Sequence, residues 1–539
     1  MDGGHLTAMA ETSNTTDIFI IGGGINGVAI ARDAVGRGLS VRLAEMEDLA
    51  HATSSASTKL YHGGLRYLEY FEIGLVRHAL EERETLLRAM PHISWPMRFV
   101  LPFHKDMRFD TSTPASRVVS TVMPWLKGRR PGWMIRLGLF MYDYLGGRQI
   151  LPGTTTLDLT KDPAGAPLND KFRKAFEYSD CWVEDARLVV LTARDAERRG
   201  ADIRTRTKVV TADRDADGWT IVTEDKGSGT LQEWRAKVLV NAGGPWVQDV
   251  IEKRIRLNTS EGIRLVRGSH IVTRKLFDHD KCYFFQGQDG RIIFAIPYET
   301  DFTLIGTTDK EHDGDPRAAV ATEEEQEYLC RFASEYFKTP VTREDVVWTY
   351  SGVRPLYDDG AKSATAATRD YVLSLDEAGA PVLNIFGGKI TTHRKLAEQS
   401  VEKFLHHFDD AQYAWTAGVP LPGGDFPVDG FDDLVARLAA AHPYLDARTV
   451  RRLVRAYGTE AKDIVSDASG LGDLGQDFGA GLYECEVRWL MTHEYAQTAD
   501  DVVWRRSKLG LRMTADEIGA LDDWMSRALA SGKAPKAAE

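Results

Sequence analysis

The first strong pattern in the chain is a short apolar run, Ile18 to Ile21, that is followed at once by closely spaced glycines. Such a run predicts a buried strand, and the small apolar residues from Val28 to Ala34 predict a helix behind the glycines. A second strand is predicted at 39–44. These elements together predict a βαβ unit over residues 17–48.

The same periodicities continue along the chain. One helix is predicted between Glu69 and about Ala89, and another at 184–199. Strands are predicted at 207–212, 218–224, 236–241, 291–297 and 302–306. Glycine turns follow at 241–246 and at 384–394, and the second turn opens a helix that reaches about residue 407. Past residue 425, Asp, Ala, Leu and Arg dominate at helical spacing, which predicts a separate helical domain.

The order of these elements predicts an α/β chain with a Rossmann-like nucleotide-binding domain, an inserted strand-rich substrate domain and an all-α C-terminal domain. We expect residues 1–16 to be a disordered extension, 17–410 to form the nucleotide-binding and substrate unit, and 411–539 to form the helical domain. Within the unit, the nucleotide-binding parts are predicted at about 17–90, 180–260 and 350–410. The substrate-domain parts are predicted at about 91–179 and 261–349.

Composition narrows the possible functions. The 539 residues carry a formal net charge of −12, which argues against nucleic acid as a partner. The four cysteines form no C-x-x-C pair, so no zinc ribbon or dithiol centre is indicated, and no metal site is predicted. No apolar run is long enough to span a bilayer.

The glycines have the spacing G-x-G-x-x-G, at Gly22, Gly24 and Gly27. Gly22 permits the tight turn, Gly24 lets a diphosphate approach the backbone, and Gly27 lets the helix pack close to the strand. The helix N-terminus offers N–H groups to the anion. Glu45, 21 residues after Gly24, ends the second strand and is predicted to bind the ribose hydroxyls.

Three features favour FAD over a nicotinamide cofactor. The glycine motif lies at the start of the predicted domain. A loop rich in serine and threonine, residues 52–59, follows Glu45 directly and can line a flavin with small hydroxyls. The late turn at Gly387 and Gly388 suits the far end of a long cofactor.

Several longer segments then closely resemble FAD-dependent glycerol-3-phosphate dehydrogenases, above all the bacterial aerobic enzymes that reduce a quinone. The segments occur in the same order as in that family and span about 17–400: 52–69, 133–143, 267–272, 305–309, 351–356, 368–373 and 387–397. The resemblance implies oxidation of sn-glycerol 3-phosphate to dihydroxyacetone phosphate with reduction of FAD. Electrons would then pass to ubiquinone or menaquinone in the respiratory chain.

The resemblance also implies roles for individual residues. A phosphate dianion needs fixed cations and hydroxyl donors, and the residues that match the family pattern are Arg66, Tyr67, Thr307, Arg354, Arg369 and Lys389. For catalysis the expected residues are His270 as general base, with Arg354 and Lys389. His393 is a weaker candidate, and arginines can instead stabilise a developing alkoxide.

For the cofactor, the resemblance adds residues beyond the glycine motif. Those expected along the flavin are Thr53, Ser54, Ser55, Ser57, His62, Gly63 and Gly64, and those expected to close the other end are Gly388 and Thr391.

The segment 118–144 mixes tryptophan and other large apolar residues with lysine and arginine. Such a mixture favours a peripheral contact with the inner face of the cytoplasmic membrane. The alternative is that its apolar side belongs to the protein core. A homodimer is expected from the resemblance alone.

Three other functions stay open at this point. A glycerol-3-phosphate oxidase would share the motifs but use oxygen. An amine-oxidising flavoenzyme would share the fold but not the cluster of cations. A flavoprotein that only binds its cofactor, with the helical domain as a docking module, would not be reduced by substrate.

Overall fold

The computed structural model describes residues 14–65, 68, 71–104, 121, 131–147, 149–258, 261–287, 291–358 and 371–531. Within them the strands are β1 Thr15–Ile21, β2 Val41–Ala44, β3 Leu60–Tyr61, β4 Ser94–Phe103, β5 Thr155–Asp158, β6 Lys174–Val183, β7 Asp202–Arg204, β8 Thr207–Arg214, β9 Trp219–Asp225, β10 Leu231–Asn241, β11 Ile263–Arg274, β12 Cys282–Gln286, β13 Ile292–Tyr298, β14 Phe302–Gly306, β15 Lys310–Glu311, β16 Val346–Tyr357, β17 Val372–Asp376 and β18 Val382–Phe386.

The α-helices over the same residues are α1 Ile25–Gly36, α2 Ile73–Ala89, α3 Gly132–Leu145, α4 Asp185–Arg198, α5 Val247–Val250, α6 Glu323–Ser334, α7 His393–Phe404, α8 Phe431–Ala441, α9 Ala447–Tyr457, α10 Ala461–Ile464, α11 Glu484–His493 and α12 Ala515–Ala530. Two segments form wider π-helical turns, Ile251–Ile255 and Asp501–Arg506.

The first sheet has the strand order β17-β18-β10-β1-β2-β7, and β8 and β9 extend it from β10. Five consecutive strands of this order, from β18 to the edge strand β7, run parallel. β1 is apolar on both faces because both are covered: Ile18 and Ile20 pack under α1, α4 and α7, and Phe19 and Ile21 pack on the opposite side against β8 and β9. This is the predicted Rossmann-like domain.

The second sheet has ten strands in the order β15-β11-β14-β13-β12-β4-β6-β3, with β16 paired to β11 and β5 to β6. Helix α6 packs on one face, where Leu329 and Phe332 join a buried cluster. Helices α2 and α3 pack on the other through Leu80 and Tyr142. This sheet is the predicted strand-rich insertion, and its face towards α2 lies beside the carboxyl ends of the first sheet.

The C-terminal region is helical, as predicted, and α8 to α12 share a core of their own. It is joined to the first sheet by buried ion pairs. Arg187 on α4 pairs with Glu494, and Arg194 pairs with Glu460 at 2.8 Å. The helical domain is therefore docked by charge as well as by apolar contact.

The α/β fold class with its helical C-terminal domain is confirmed, but two details differ from the predicted limits. Thr15 and Thr16, predicted to be disordered, already belong to β1, because they pair in parallel register with Arg235 and Ala236 of the long β10. Most of strand β16 falls in the segment 350–410 that is predicted to bind the nucleotide. The whole strand instead pairs with β11 in the second sheet. The domain limits otherwise stay a prediction.

Candidate active site

The glycine turn has the geometry that its spacing predicts. Gly22 leaves β1 with a φ of 109°, which side chains rarely adopt. A Cβ atom on Gly27 would lie 1.9 Å from the carbonyl oxygen of Gly22, so only glycine lets α1 pack this closely. Helix α1 begins at Ile25, and its N-terminus therefore faces the edge of the sheet where a diphosphate would bind.

Glu45 follows β2 and lies against this turn. Its carboxylate accepts hydrogen bonds from the backbone N–H of Gly23 at 2.6 Å and of Glu47 at 2.8 Å. Burial raises the pKa of Glu45, and the two N–H donors oppose that effect. The carboxylate is held beside the glycine turn, where a ribose hydroxyl can donate to it.

The serine and threonine residues of the loop 52–59 have different partners. Ser54 accepts a hydrogen bond from the N–H of Ile25 at 3.0 Å and so lies at the N-terminus of α1. Thr53 donates to the carbonyl of Val353 at 2.6 Å, and Ser57 to the carboxylate of Asp185 at 2.7 Å. Ser55 donates to Ala52 within its own turn.

The late glycine turn lies opposite the N-terminus of α1. Gly387 and Gly388 have φ values of 77° and 104°. Asn26, on α1, donates to the carbonyl of Gly387 at 3.1 Å, while its buried Oδ1 meets no donor among the described residues. Lys389 and Thr391 follow directly. Asn26 is not among the residues predicted from the sequence, although its place inside the glycine motif is a usable signal.

Arg354 reaches the same region from the second sheet. It pairs with Asp309 at 2.9 Å, and its other terminal nitrogen is 3.4 Å from the hydroxyl of Thr307. A Cβ on Gly268 would lie 2.5 Å from the guanidinium, so this glycine leaves the space that the arginine occupies.

A cavity of about 880 Å³ joins these elements. The predicted site residues that line it are Gly22, Gly24, Glu45, Thr53, Ser54, Ser57, His62, Gly63, Gly64, Thr307, Arg354, Gly388, Lys389 and Thr391. Gly27 and Ser55 do not line it, since Gly27 acts through packing and Ser55 is turned into its own loop. Arg66, Tyr67 and Arg369 lie outside the described residues.

His270, the predicted general base, is not brought to the cavity. It is 1% exposed, its Nε2 is 3.0 Å from the hydroxyl of Thr58, and its ring stacks on Tyr350. Burial, with Arg354 and Lys59 nearby, holds the pKa of His270 well below its ordinary value. His62 does line the cavity, and its ring centroid is 6.2 Å from that of Phe294.

A buried polar group that the sequence analysis missed also lies at the wall. Asp180 pairs with Arg83 at 2.5 Å and accepts a hydrogen bond from the hydroxyl of Tyr142 at 2.8 Å. That hydroxyl in turn accepts from the N–H of Gly63 at 2.7 Å. Burial raises the pKa of Asp180 to about 6, although Arg83 opposes the shift. A charged residue inside the apolar strand β6 was the available signal.

One group of side chains in the described residues has the composition of a metal site. Glu377, His406 and His407 bring their ligand atoms within 4.8 Å of one another, but all three are exposed. None of them lines the cavity, and the expectation of no metal in the reaction stays a prediction.

The cavity fits FAD on its own geometry. It begins at the glycine turn and α1, where a diphosphate finds N–H donors, and Glu45 lies at one side for the ribose. It extends past the second glycine turn to the aromatic wall of the second sheet. The unpaired Oδ1 of Asn26 is an acceptor for a cofactor hydroxyl or N–H.

Comparisons with known proteins agree with this geometry. The family described as FAD dependent oxidoreductase matches residues 17–394, and the C-terminal domain of alpha-glycerophosphate oxidase matches residues 414–529. The aerobic glycerol-3-phosphate dehydrogenase of Escherichia coli is 45% identical, over 95% of this chain and 97% of its own. The chain belongs to the FAD-dependent glycerol-3-phosphate dehydrogenase family. It is an FAD-dependent oxidoreductase.

Three further comparisons bear on the family's range. D-erythritol 1-phosphate dehydrogenase of Brucella abortus is 48% identical, over 96% of this chain and 99% of its own. The structure of glycerol-3-phosphate dehydrogenase from Bacillus halodurans, complexed with FAD, superposes with a TM-score of 0.70 at 26% identity, covering 98% of this chain and 90% of that one. An L-alpha-glycerophosphate oxidase from Mycoplasma pneumoniae, at 16% identity, shows the shared fold alone.

The packing at Gly27 gives a direct test of the cofactor site. We expect Gly27→Ala to lose bound flavin and to unfold at a lower temperature, because the new Cβ collides with the backbone of Gly22. The measurements are the flavin absorbance per protein and the thermal unfolding midpoint.

Gly74→Ala is the matched control, since it lies in helix α2 with nothing within 4 Å of the added Cβ. It should keep its flavin and gain about 0.5–1 kcal/mol of stability. Full flavin content in the Gly27→Ala protein would contradict the proposed packing role.

Proposed function

We propose that this enzyme oxidises sn-glycerol 3-phosphate to dihydroxyacetone phosphate and passes the electrons from FAD to a membrane quinone. One observation carries the proposal. Two cations, Lys389 from the turn after β18 of the first sheet and Arg354 from β16 of the second, line the same cavity as the glycine turn. The substrate phosphate and the cofactor are thereby brought together.

The cations are suited to a phosphate dianion. Arginine offers paired, charge-assisted hydrogen bonds, and lysine adds a point charge. Asp309 holds the guanidinium of Arg354 in place, and Thr307 adds a hydroxyl at its side. Arg66, Tyr67 and Arg369 complete this proposed phosphate site by their match to the family pattern.

The oxidation removes a hydride from C2 of the substrate and a proton from the C2 hydroxyl. Bound FAD supplies the hydride acceptor. For the proton we favour His62 over His270, because His62 lines the cavity and His270 is enclosed behind its wall. His270 instead fixes the loop 52–59 through its contact with Thr58. Arg354 lowers the cost of negative charge on the substrate oxygen.

A second substrate follows from the relative that oxidises D-erythritol 1-phosphate. D-erythritol 1-phosphate is a longer polyol that also carries a terminal phosphate, so the same cations can bind that phosphate. The difference between the two substrates lies at the end away from the phosphate. We therefore propose glycerol 3-phosphate first and the four-carbon polyol phosphate as the alternative.

The surface of helix α3 supports a peripheral contact with the membrane. Trp133, Leu137, Phe140, Met141 and Tyr144 lie on one exposed face, beside exposed Arg136, and Trp133 and Tyr144 are 60% and 63% exposed. Large apolar side chains with a basic residue suit the headgroup region. The opposite face, with Leu139 and Tyr142, is buried. Residues 118–120 and 122–130 lie outside the described chain.

Among the described residues, no helix combines the length and the apolarity needed to cross a bilayer. We place the enzyme on the inner face of the cytoplasmic membrane, where ubiquinone or menaquinone would accept the electrons. The homodimer is proposed from the family resemblance alone.

The substrate and the acceptor can be tested on purified protein. Under anaerobic conditions, sn-glycerol 3-phosphate is expected to bleach the flavin absorbance, because hydride transfer reduces the bound FAD. A quinone analogue should then restore the absorbance faster than oxygen does. The readout is a stopped-flow spectrum with glycerol 3-phosphate, D-erythritol 1-phosphate and glycine in parallel.

Faster bleaching by D-erythritol 1-phosphate would assign the four-carbon substrate, and rapid reoxidation by oxygen would assign an oxidase. Bleaching by glycine alone would contradict the proposed phosphate site, and so would the absence of bleaching with all three compounds.

Lys389→Met tests the phosphate site itself. We expect kcat/KM for glycerol 3-phosphate to fall roughly tenfold to a hundredfold, the value of one or more hydrogen bonds from a charged donor. Residual activity on glycerol, which lacks the phosphate, should not change. Lys395→Met on helix α7, whose lysine pairs only with Glu398 among the described residues, is the control. Equal losses on both substrates would mean that Lys389 acts elsewhere.

Leu137→Glu tests the exposed face of α3. Co-sedimentation with vesicles that contain anionic lipid should fall roughly tenfold, since a large apolar side chain contributes about 1.5–3 kcal/mol when buried. Leu231→Glu, at a leucine on β10 that is also more than half exposed, controls for the added charge. If both variants bind vesicles like the native enzyme, α3 is not the membrane contact.

A further inference from the structure

The C-terminal helical domain contacts the nucleotide-binding domain at the turn that follows β2. Asp48, in this turn, is 1% exposed and lies under the π-helical segment Asp501–Arg506. Two consecutive arginines of that segment, Arg505 and Arg506, both reach the Asp48 carboxylate. A side chain of the first domain is thus enclosed by charges of the last.

The contact is bidentate and buried. Arg506 donates to both carboxylate oxygens of Asp48, at 2.5 and 2.7 Å, and Arg505 donates through its Nε at 2.6 Å. Arg506 also donates to the carbonyl of Glu494, and Arg505 to the carboxylate of Asp501. Each of these charged side chains therefore has a partner of opposite charge, and buried charges need such partners.

Asp501 extends the contact to the other side of the turn. It accepts two hydrogen bonds from Arg206, at 2.7 and 2.8 Å. The backbone N–H of Arg206 donates to the carbonyl of Glu47 at 2.9 Å. The turn is therefore held from both sides by residues that depend on the C-terminal domain.

The same turn positions Glu45. The N–H of Glu47 donates to the Glu45 carboxylate, and the N–H of Thr207 donates to the Glu45 carbonyl at 2.8 Å. A displacement of Asp48 would move Glu47, and the Glu45 carboxylate, which is proposed to bind the ribose, would lose its position. Elsewhere on the interface, the pairs of Arg187 and Arg194 already dock the domain without contacting this turn.

We propose that Arg505 and Arg506 are positioning residues for FAD: the C-terminal domain retains the cofactor by fixing the Glu45–Asp48 turn at the adenosine end. This inference rests on the ribose-binding role proposed for Glu45. It gives the helical domain a function in cofactor retention rather than in substrate chemistry.

The test is the rate at which the holoenzyme releases FAD after dilution, followed by the rise in flavin fluorescence. Arg506→Lys keeps the charge but loses the bidentate contact, so release should accelerate roughly tenfold, equivalent to one charge-assisted hydrogen bond. The flavin redox potential, and the rate of anaerobic reduction by glycerol 3-phosphate in protein that still holds FAD, should not change, because the flavin ring lies at the other end.

Arg452→Lys is the matched control. Arg452 also makes a bidentate pair, with the buried Glu486, but entirely inside the C-terminal domain. It should lower the unfolding temperature without accelerating FAD release. Asp48→Asn is the second variant, for use if Arg506→Lys does not fold, and should also accelerate release.

The proposal is overturned if Arg506→Lys and Asp48→Asn release FAD at the native rate, or if Arg452→Lys accelerates release as much as they do. Its failure would leave the proposed reaction intact, since bleaching by the substrate is measured separately. Faster release together with an unchanged redox potential would assign the role.

Discussion

The arrangement of the molecule depends on the contact between Gly27 and Gly22. Helix α1 packs so close to the end of β1 that a single methyl group would overlap the backbone. This closeness puts the helix N-terminus at the edge of the sheet, where its N–H groups can hold a diphosphate. Ser54 then lies against that N-terminus and Asn26 reaches across to Gly387, so the contact also sets the width of the cavity.

The cavity itself exists because the chain returns to the same sheet from distant positions. Strand β10 lies between β1 and β18, so the turns after residues 21, 241 and 386 meet at one edge. Because the second sheet is inserted between these returns, β16 can bring Arg354 to the cavity that Lys389 also lines. The two proposed phosphate ligands share one cavity only in the folded chain.

The sequence predicted the local parts of this site better than the long-range parts. The glycine turn, Glu45 and the turn before Lys389 depend on a few consecutive residues, and the structure places all three at the cavity. Whether a side chain on a strand points into the cavity depends on register with its neighbours. His270, on β11, therefore lies behind the wall, whereas His62, just after β3, lines it. In the loop 52–59, the hydroxyls of Ser55 and Ser57 donate to Ala52 and Asp185. Asp180 could be suspected as a charge inside an apolar strand, but its pairing with Tyr142, from a separate element, followed no sequence pattern.

Buried charge recurs wherever two parts of the molecule must keep a fixed relation. Asp180 with Arg83 and Tyr142 ties α3 to Gly63 at the cavity, just as Asp48 with Arg505 and Arg506 ties the helical domain to the turn after β2. Such groups cost free energy to desolvate and are weak evidence for stability as such. They do demand one geometry, since a shifted partner leaves a charge unpaired. Helix α3, whose outer face is apolar, is thus held at a defined place relative to Gly63 at the cavity, as the proposed transfer of electrons to a lipid-soluble acceptor requires.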